Sequence, residues 1–188
     1  MPAPQEHDLA AVFVAKARYF LREEYRTKMR RVLDALPADA LWWRADESTN
    51  SIGNLLLHLS GNVRQWIVGG VGRQPVTRHR AEEFSARQER DLEELWALLD
   101  AALADADAVL EKLPANALLE KRTIQGRDVT VLEAIFHVVE HFALHLGQII
   151  YVAKMRAPGS IKFYEDAGGL AKPLWRSEVP PSDLRSNT

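Results

Sequence analysis

One segment, residues 138–153, constrains the fold of this chain more than any other. It is apolar, its hydrophobic residues recur at helical spacing, and it carries His141 and His145 one turn apart in VVEHFALHLGQIIYVA. Imidazoles along one side of an apolar helix need polar partners, so they belong at the edge of a core and not at its centre. The segment therefore predicts a long core helix with a cleft beside it.

The remaining helical patterns predict the fold class. Together with the one above, they cover residues 6–36, 51–70, 85–113 and 130–156. No segment has a convincing strand pattern, so we expect an all-α protein built as a four-helix bundle. The connections are longer than tight helix hairpins need, which allows parallel neighbours and a non-standard helix order. We expect residues 1–157 to form the bundle and residues 158–188 to form a tail that docks on it or on a partner subunit.

Local signals give the helix ends. Gly69 and Gly70 are expected to end the second helix. Ser85 with Gln88 has the capping-box spacing and is expected to open the third helix, as Thr130 with Glu133 is for the fourth. The basic segment 71–84 between the second and third helices is expected to be an exposed loop.

Composition excludes several classes of function. The 188 residues carry 24 Lys and Arg against 26 Asp and Glu, so no global charge attracts nucleic acid. Cysteine is absent, which removes disulfides, thiolate ligands and a nucleophilic thiol supplied by the chain. The first residues lack the pattern of a signal peptide, and no apolar run reaches the roughly 18 residues of a membrane span. We therefore expect a soluble cytoplasmic protein that binds neither membranes nor nucleic acid.

The histidines of the fourth helix are the strongest chemical signal. At about 100° per residue, His137 and His145 lie about 40° to either side of His141. Eight residues of helix rise about 12 Å, whereas zinc–nitrogen bonds are about 2.0–2.1 Å. One ion can bridge an i, i+4 pair but not the outer two histidines, so a third ligand must come from another helix. His58, in the middle of the second helix, is the best candidate.

Spacing alone leaves alternatives open. Either i, i+4 pair could be the chelating one, and the histidines could instead be core-edge residues bonded to carbonyls or water. Three neutral ligands would leave a cation uncompensated and open to hydroxide, thiolate or carboxylate. The groups that could orient the imidazoles or line a substrate pocket are Gln148, Asn54, Asn62 and Glu140. The Glu-x-x-His pairs of di-iron bundles and the HExxH of metalloproteases are missing.

Two motifs carry a resemblance to a known family. NSIGNLLLHLSGN, with His58, and EHFALHLGQII, with His141 and His145, resemble the DinB-like (YfiT-type) superfamily. The resemblance implies a four-helix bundle of non-standard helix order, often a homodimer. It also implies a nickel or zinc ion on His58, His141 and His145. The HLGQ motif selects His141 with His145, rather than His137 with His141, as the pair on the fourth helix. His137 is then left to packing or to contacts around the ligands.

The same resemblance suggests a reaction class. Members of the superfamily include bacillithiol transferases and mycothiol-dependent isomerases, so it implies a thiol-dependent S-transferase or a metal-dependent hydrolase acting on a small molecule. Without cysteine in the chain, the thiol would be an external cofactor or substrate. No side chain stands out as a catalytic base. The alternatives are a non-enzymatic stress-related or binding protein with a structural or incidental metal, and an interaction bundle without metal.

Overall fold

The computed structural model describes residues 6–175, with side chains from residue 9 onward, and the fold is mostly helical. The helices are α1 (Glu6–Arg18), α2 (Arg26–Asp34), α3 (Ile52–Val63), α4 (Arg80–Ser85), α5 (Leu92–Glu111) and α6 (Val131–Arg156). A wider π-helical stretch, Tyr19–Tyr25, joins α1 to α2, and a second, Arg64–Val71, extends α3. A 3-10 turn covers Ala115–Leu119.

Two short antiparallel hairpins, which the sequence did not predict, complete the described residues. One pairs β1 (Lys121–Ile124) with β2 (Arg127–Thr130), directly before α6. The other pairs β3 (Tyr164–Ala167) with β4 (Leu170–Pro173) after α6. Neither hairpin contributes a histidine to the site described below.

Ion pairs between helices give their directions. Arg18 pairs with Asp107 and Arg30 with Glu93, so the first helical stretch and α5 run antiparallel. α3 and α5 instead run parallel, because Asn54 contacts the chain just before α5 and Arg64 pairs with Asp105 further along it. Parallel neighbours need a connection that returns to the starting end of the bundle. The segment containing α4 makes that return.

One shared core lies between these helices. Its largest fully buried side chains are Phe142, Leu21, Met29, Leu33, Ile52, Leu56, Leu59, Ile67, Leu95, Leu99, Leu103 and Leu110. They come from α2, α3, α5, α6 and both π-helical stretches, so each long helix buries one side against the others.

The start of α5 was predicted wrongly. Ser85 is the last residue of α4, and Gln88 has a φ of 83°, which no residue inside a right-handed helix adopts. The helix begins instead after Asp91, whose side chain accepts a hydrogen bond from the Glu94 amide at 2.9 Å. The second helix covers residues 52–71, a shift of one residue from the predicted range. The Thr130–Glu133 capping box is confirmed.

The segment after α6 lies against the bundle as far as it is described. Ile161 and Trp175 are buried, and the Lys28 ammonium lies 3.9 Å from the centroid of the Trp175 ring. Arg31 donates a hydrogen bond to the Leu174 carbonyl at 3.0 Å. Residues 176–188 of the predicted tail lie outside the described residues, and the predicted domain division stays a prediction.

α6 is the helix within residues 6–175 that is long and apolar enough to cross a membrane. This is weak evidence for a membrane span, because core helices of soluble proteins meet the same criterion. Eight of its residues are buried inside the protein: Val131, Ala134, Ile135, Val138, Phe142, Leu146, Ile149 and Ala153. That packing accounts for the apolar composition of one side of α6.

Candidate metal centre

Three imidazole nitrogens converge between α3 and α6. The helices run antiparallel, which sets His58 opposite His141 and Asn62 opposite His137. Nε2 of His141 lies 3.1 Å from Nε2 of His58 and 3.2 Å from Nε2 of His145. The ligand atoms of these three histidines all lie within 4.8 Å of one another. The fold thus brings His58, His141 and His145 together, and their role as metal ligands stays a prediction.

The spacing suits a small divalent ion. Nitrogens in a tetrahedral shell with bonds of about 2.0–2.1 Å lie about 3.3 Å apart. The two separations between Nε2 atoms here are close to that value. A hydrogen-bonded core would instead pair each imidazole with one donor or acceptor and would not gather three equivalent nitrogens. The donor set therefore fits a metal ion.

The outward nitrogen of His58 is held by a carboxylate. Nδ1 of His58 donates to Oε2 of Glu83 at 2.9 Å, which leaves the Nε2 lone pair directed at the other histidines. Arg78 holds the same carboxylate through Nε at 2.6 Å and Nη2 at 2.8 Å. Nη2 of Arg78 also lies 3.2 Å from Nδ1 of His58, a contact between two donors that share Oε2 as their acceptor.

The other two histidines differ in their support. Nδ1 of His145 lies 2.7 Å from Oε1 of Gln148 and donates to it, so its Nε2 also presents a lone pair. Nδ1 of His141 is buried without a hydrogen-bond partner in the described structure. Nε2 of His58 and Nε2 of His145 both direct lone pairs at Nε2 of His141. One N–H at that atom can donate to one of the two neighbours, and the other contact then places two lone pairs against each other. Nε2 of His58, His141 and His145 could all direct lone pairs at a cation, and a bound cation would remove that conflict.

Burial favours the neutral imidazoles of His141 and His145. It lowers the pKa of His141 to about 3, helped by the charges that His145, His58, His137 and Arg78 would carry. Burial also lowers the pKa of His145, against the hydrogen bond to Gln148. Because metal ions bind the neutral imidazole, these pKa shifts leave both residues able to ligate at neutral pH.

Glu83 stays ionised despite its position. Burial would raise the pKa of its carboxyl, but the hydrogen bonds from Arg78 and His58 outweigh burial, so the pKa is lowered. The side chains of Arg78 and Glu83 are only 6% and 9% exposed. This charge pair contradicts the prediction that the whole segment 71–84 is an exposed loop. His79, at the start of α4, is exposed.

The roles of Arg78 and Glu83 were not predicted from the sequence, although one glycine indicates a close approach. Gly61 lies near the end of α3 and inside the continuous helix that runs on to Val71, where glycine is unfavourable. A Cβ at that position would collide with Oε1 of Glu83 and approach Nε of Arg78. A mid-helix glycine one turn after His58 thus marks the place where the connection crosses the helix.

The remaining predicted residues occupy different positions around the centre. Asn54 does not contact an imidazole; its Nδ2 donates to the carbonyls of Glu83 at 2.9 Å and Ala86 at 3.0 Å. Nδ2 of Asn62 lies 3.4 Å from Nε2 of His137, outside the convergent cluster. Glu140 is exposed, and its charge opposes the lowering of the His137 pKa that burial causes.

The family assignment follows from comparison with known proteins. The family described as a protein of unknown function, DUF1572, matches residues 8–163, which include the three convergent histidines, Arg78 and Glu83. The chain belongs to the DUF1572 family. Comparison with curated proteins yields no match. For this DUF1572 protein the function must therefore be argued from the site itself.

Proposed function

We propose that this DUF1572 protein binds a divalent metal ion through Nε2 of His58, His141 and His145. The observation that carries the proposal is the convergence of these three nitrogens at 3.1 and 3.2 Å. Two of them have lone pairs directed inward by Glu83 and Gln148. We propose zinc or nickel as the ion, since both accept imidazole ligands.

The charges around the site favour an anionic ligand in the remaining coordination position. Glu83 carries a negative charge, but Arg78 lies against it and cancels most of that charge toward the site. Imidazole ligands bring no charge of their own, so the positive charge of a bound ion would be left uncompensated. When bound, zinc or nickel would lower the pKa of a thiol or water that completes its shell. Because the chain has no cysteine, such a thiol would be a small external molecule.

We therefore propose that the protein is a metal-dependent transferase or hydrolase of the DinB-like superfamily, acting on a small molecule with an external thiol or with water. The two motifs that resemble this superfamily lie on α3 and α6 and face each other across the site. The parallel course of α3 and α5 agrees with a four-helix bundle of non-standard order.

A second candidate is a binding protein whose metal has a structural role. The observation in its favour is that the carboxylate in contact with a ligand, Glu83, is hydrogen-bonded by His58 and Arg78 through both oxygens. A carboxylate engaged in this way is poorly placed to take a proton from a substrate. Turnover separates the two candidates, so conjugation assays with glutathione, mycothiol and bacillithiol, and hydrolysis assays, are the deciding measurements.

The metal site is tested by elemental analysis of purified protein. We expect about one zinc or nickel ion per chain in the wild type and in His137→Ala, whose imidazole lies outside the cluster. His145→Ala should lose most of the bound metal, since two protein ligands rarely retain a divalent ion during purification. Wild type without stoichiometric metal after reconstitution, or His145→Ala with full occupancy, would contradict the proposal.

A further inference from the structure

Phe84, at the end of α4, packs against one of the three convergent histidines. The centroid of its ring lies 4.8 Å from that of His58, with 43° between the ring planes. The ring of His145 also contacts His58, at 5.1 Å, and both Phe84 and His145 are half-buried. Because His58 itself is buried, these two partly exposed rings border the way from solvent to the three nitrogens. Phe84 therefore belongs to the rim of the site.

Arg80 lies on the Phe84 ring. Its Cζ is 4.9 Å from the ring centroid, a cation–π contact between residues one turn apart on α4. This distance and the 4.8 Å between the rings of Phe84 and His58 together place Cζ at most about 10 Å from the centre of the His58 ring. Stacking also restricts the long side chain of Arg80, which lowers the entropy lost when a ligand binds it.

The positive charge of Arg80 is not compensated by a carboxylate. Within residues 6–175 its exposed side chain forms neither a hydrogen bond nor an ion pair. Glu82 points to another side of α4, because residues two apart on a helix do not face each other. Both oxygens of Glu83 already accept hydrogen bonds from Arg78 and His58. The N–H donors of Arg80 are therefore available to a ligand.

Arg78 does not have this freedom, although it lies closer to His58. Its side chain is 6% exposed, and its Nε and Nη2 donate to Glu83. Its Nη1 donates to Oε1 of Gln65 at 2.7 Å. The connection between α3 and α5 thus brings two arginines to the site. One is bound within the protein, and Arg80 is open to solvent at the rim.

We propose that Arg80, stacked on Phe84, binds a carboxylate of the substrate while another atom of the same molecule reaches the three-histidine centre. This inference rests on the proposed function and names its substrate class: small molecules in which a short apolar chain joins a carboxylate to a thiol or another metal-binding group. A guanidinium binds a carboxylate through two parallel N–H···O bonds. A phosphate carries nearly two negative charges at neutral pH, of which a single arginine neutralises only one. The apolar chain packs on the Phe84 ring.

Two thiols that differ only in charge test the proposal. Cobalt-substituted protein is titrated with γ-mercaptobutyrate and with γ-mercaptobutyramide, and binding is followed by the thiolate-to-cobalt absorption. We expect the wild type to bind the acid at least about tenfold more tightly than the amide. Arg80→Gln should bind both within about twofold of the wild-type affinity for the amide. Since Arg80 is exposed and unpaired in the described structure, this variant should fold and bind zinc like the wild type.

Two further variants separate the position of the charge from its shape. Arg90→Gln removes a positive charge from an exposed position later in the same connection, and it should keep the wild-type preference for the acid. Arg80→Lys keeps the charge but lacks the planar pair of donors, so it should keep only part of the preference. Equal wild-type affinities for acid and amide would overturn the proposal. So would a preference that survives Arg80→Gln or that Arg90→Gln lowers as much.

Metal-free protein separates this proposal from the proposed function. Arg80 and Phe84 contact each other without an ion, so butyrate should shift the Nε–H resonance of Arg80 in protein stripped by a chelator, and butyramide should not. A butyrate shift without binding of either thiol to the cobalt protein would support the carboxylate site and contradict a thiol bound at the metal. No shift up to about 100 mM butyrate, far above the Kd of a millimolar complex, would overturn the carboxylate site even if both thiols bind.

Discussion

Glu83 accepts a hydrogen bond from Nδ1 of His58 at 2.9 Å, although 25 positions separate the two residues in the chain. The connection between α3 and α5 thus returns to the helix that it left and fixes the tautomer of a proposed ligand. His58 therefore depends on a residue of another element, whereas Gln148 supports His145 from one turn away on the same helix.

Replacing the Glu83 carboxylate should weaken metal binding. Glu83→Gln keeps the size of the side chain but removes the charge that holds the Nδ1 proton of His58. We expect the affinity for zinc, measured by competition with a chromophoric chelator, to fall about 10–100-fold. The control is Glu82→Gln, an exposed neighbour on α4 that should bind zinc like the wild type. Equal affinities for all three proteins would show that the carboxylate does not support the ligand.

Arg78→Met should lower the free energy of unfolding more than Glu83→Gln does. Arg78→Met leaves the Glu83 carboxylate buried without its cation, which costs about 3–5 kcal/mol of unfolding free energy. Urea unfolding of the metal-free protein measures this loss. The double variant with Glu83→Gln should recover part of it, because no unpaired charge then remains. Arg80→Met, on the exposed surface, serves as the control.

Asn54 should matter for stability rather than for ligation. It is fully buried, donates to the carbonyls of Glu83 and Ala86, and accepts from the Ser51 amide. Asn54→Ala leaves these groups unsatisfied and should cost about 1–3 kcal/mol in thermal or urea unfolding. Asn50→Ala, at an exposed position just before α3, should change stability by less than about 0.5 kcal/mol. An Asn54→Ala protein as stable as the wild type would contradict this role.

Stability of the metal-free protein should fall in mild acid. The pKa of His141 is lowered to about 3 in the folded state, so below about pH 6.5 this histidine is protonated in the unfolded chain but not in the folded one. The stabilisation that neutral His141 gives the folded state is therefore present above pH 6.5 and is lost as the pH falls toward 3. Urea midpoints between pH 7 and 5 should therefore decline more steeply in the wild type than in His141→Asn. Parallel declines would contradict the lowered pKa.

The sequence predicted the histidines of the site, which lie on two helices with clear hydrophobic periodicity. The i, i+4 spacing places His137, His141 and His145 on one side of α6, and hydrophobic periodicity predicted α3 with His58. The choice of His141 with His145 as the pair came from the family resemblance of the HLGQ motif. The burial of Arg78 and Glu83 was not predicted, because charged residues between helices are exposed in most proteins. Their burial depends on how the connection crosses α3 at Gly61, which is a property of the tertiary fold.

Competition between similar local patterns explains the misplaced start of α5. Ser85 with Gln88 and Asp91 with Glu94 have the same capping-box spacing. The chain uses the second pair, because Asn54 holds the Ala86 carbonyl and the backbone turns at Gln88 before a helix can begin. The choice between the two pairs depends on Asn54, more than thirty positions earlier, so it cannot be predicted from the local sequence around α5.

The parallel course of α3 and α5 makes the connection between them indispensable in two ways at once. It returns the chain to the end of the bundle from which α5 must start, and on the way it delivers Arg78 and Glu83 to His58. Topology and ligand orientation are therefore encoded in the same few residues. A circular permutant with its new termini inside this connection should lose both the helix arrangement and the support of His58. A permutant with its new termini at the Gln125–Gly126 turn of the first hairpin should keep both.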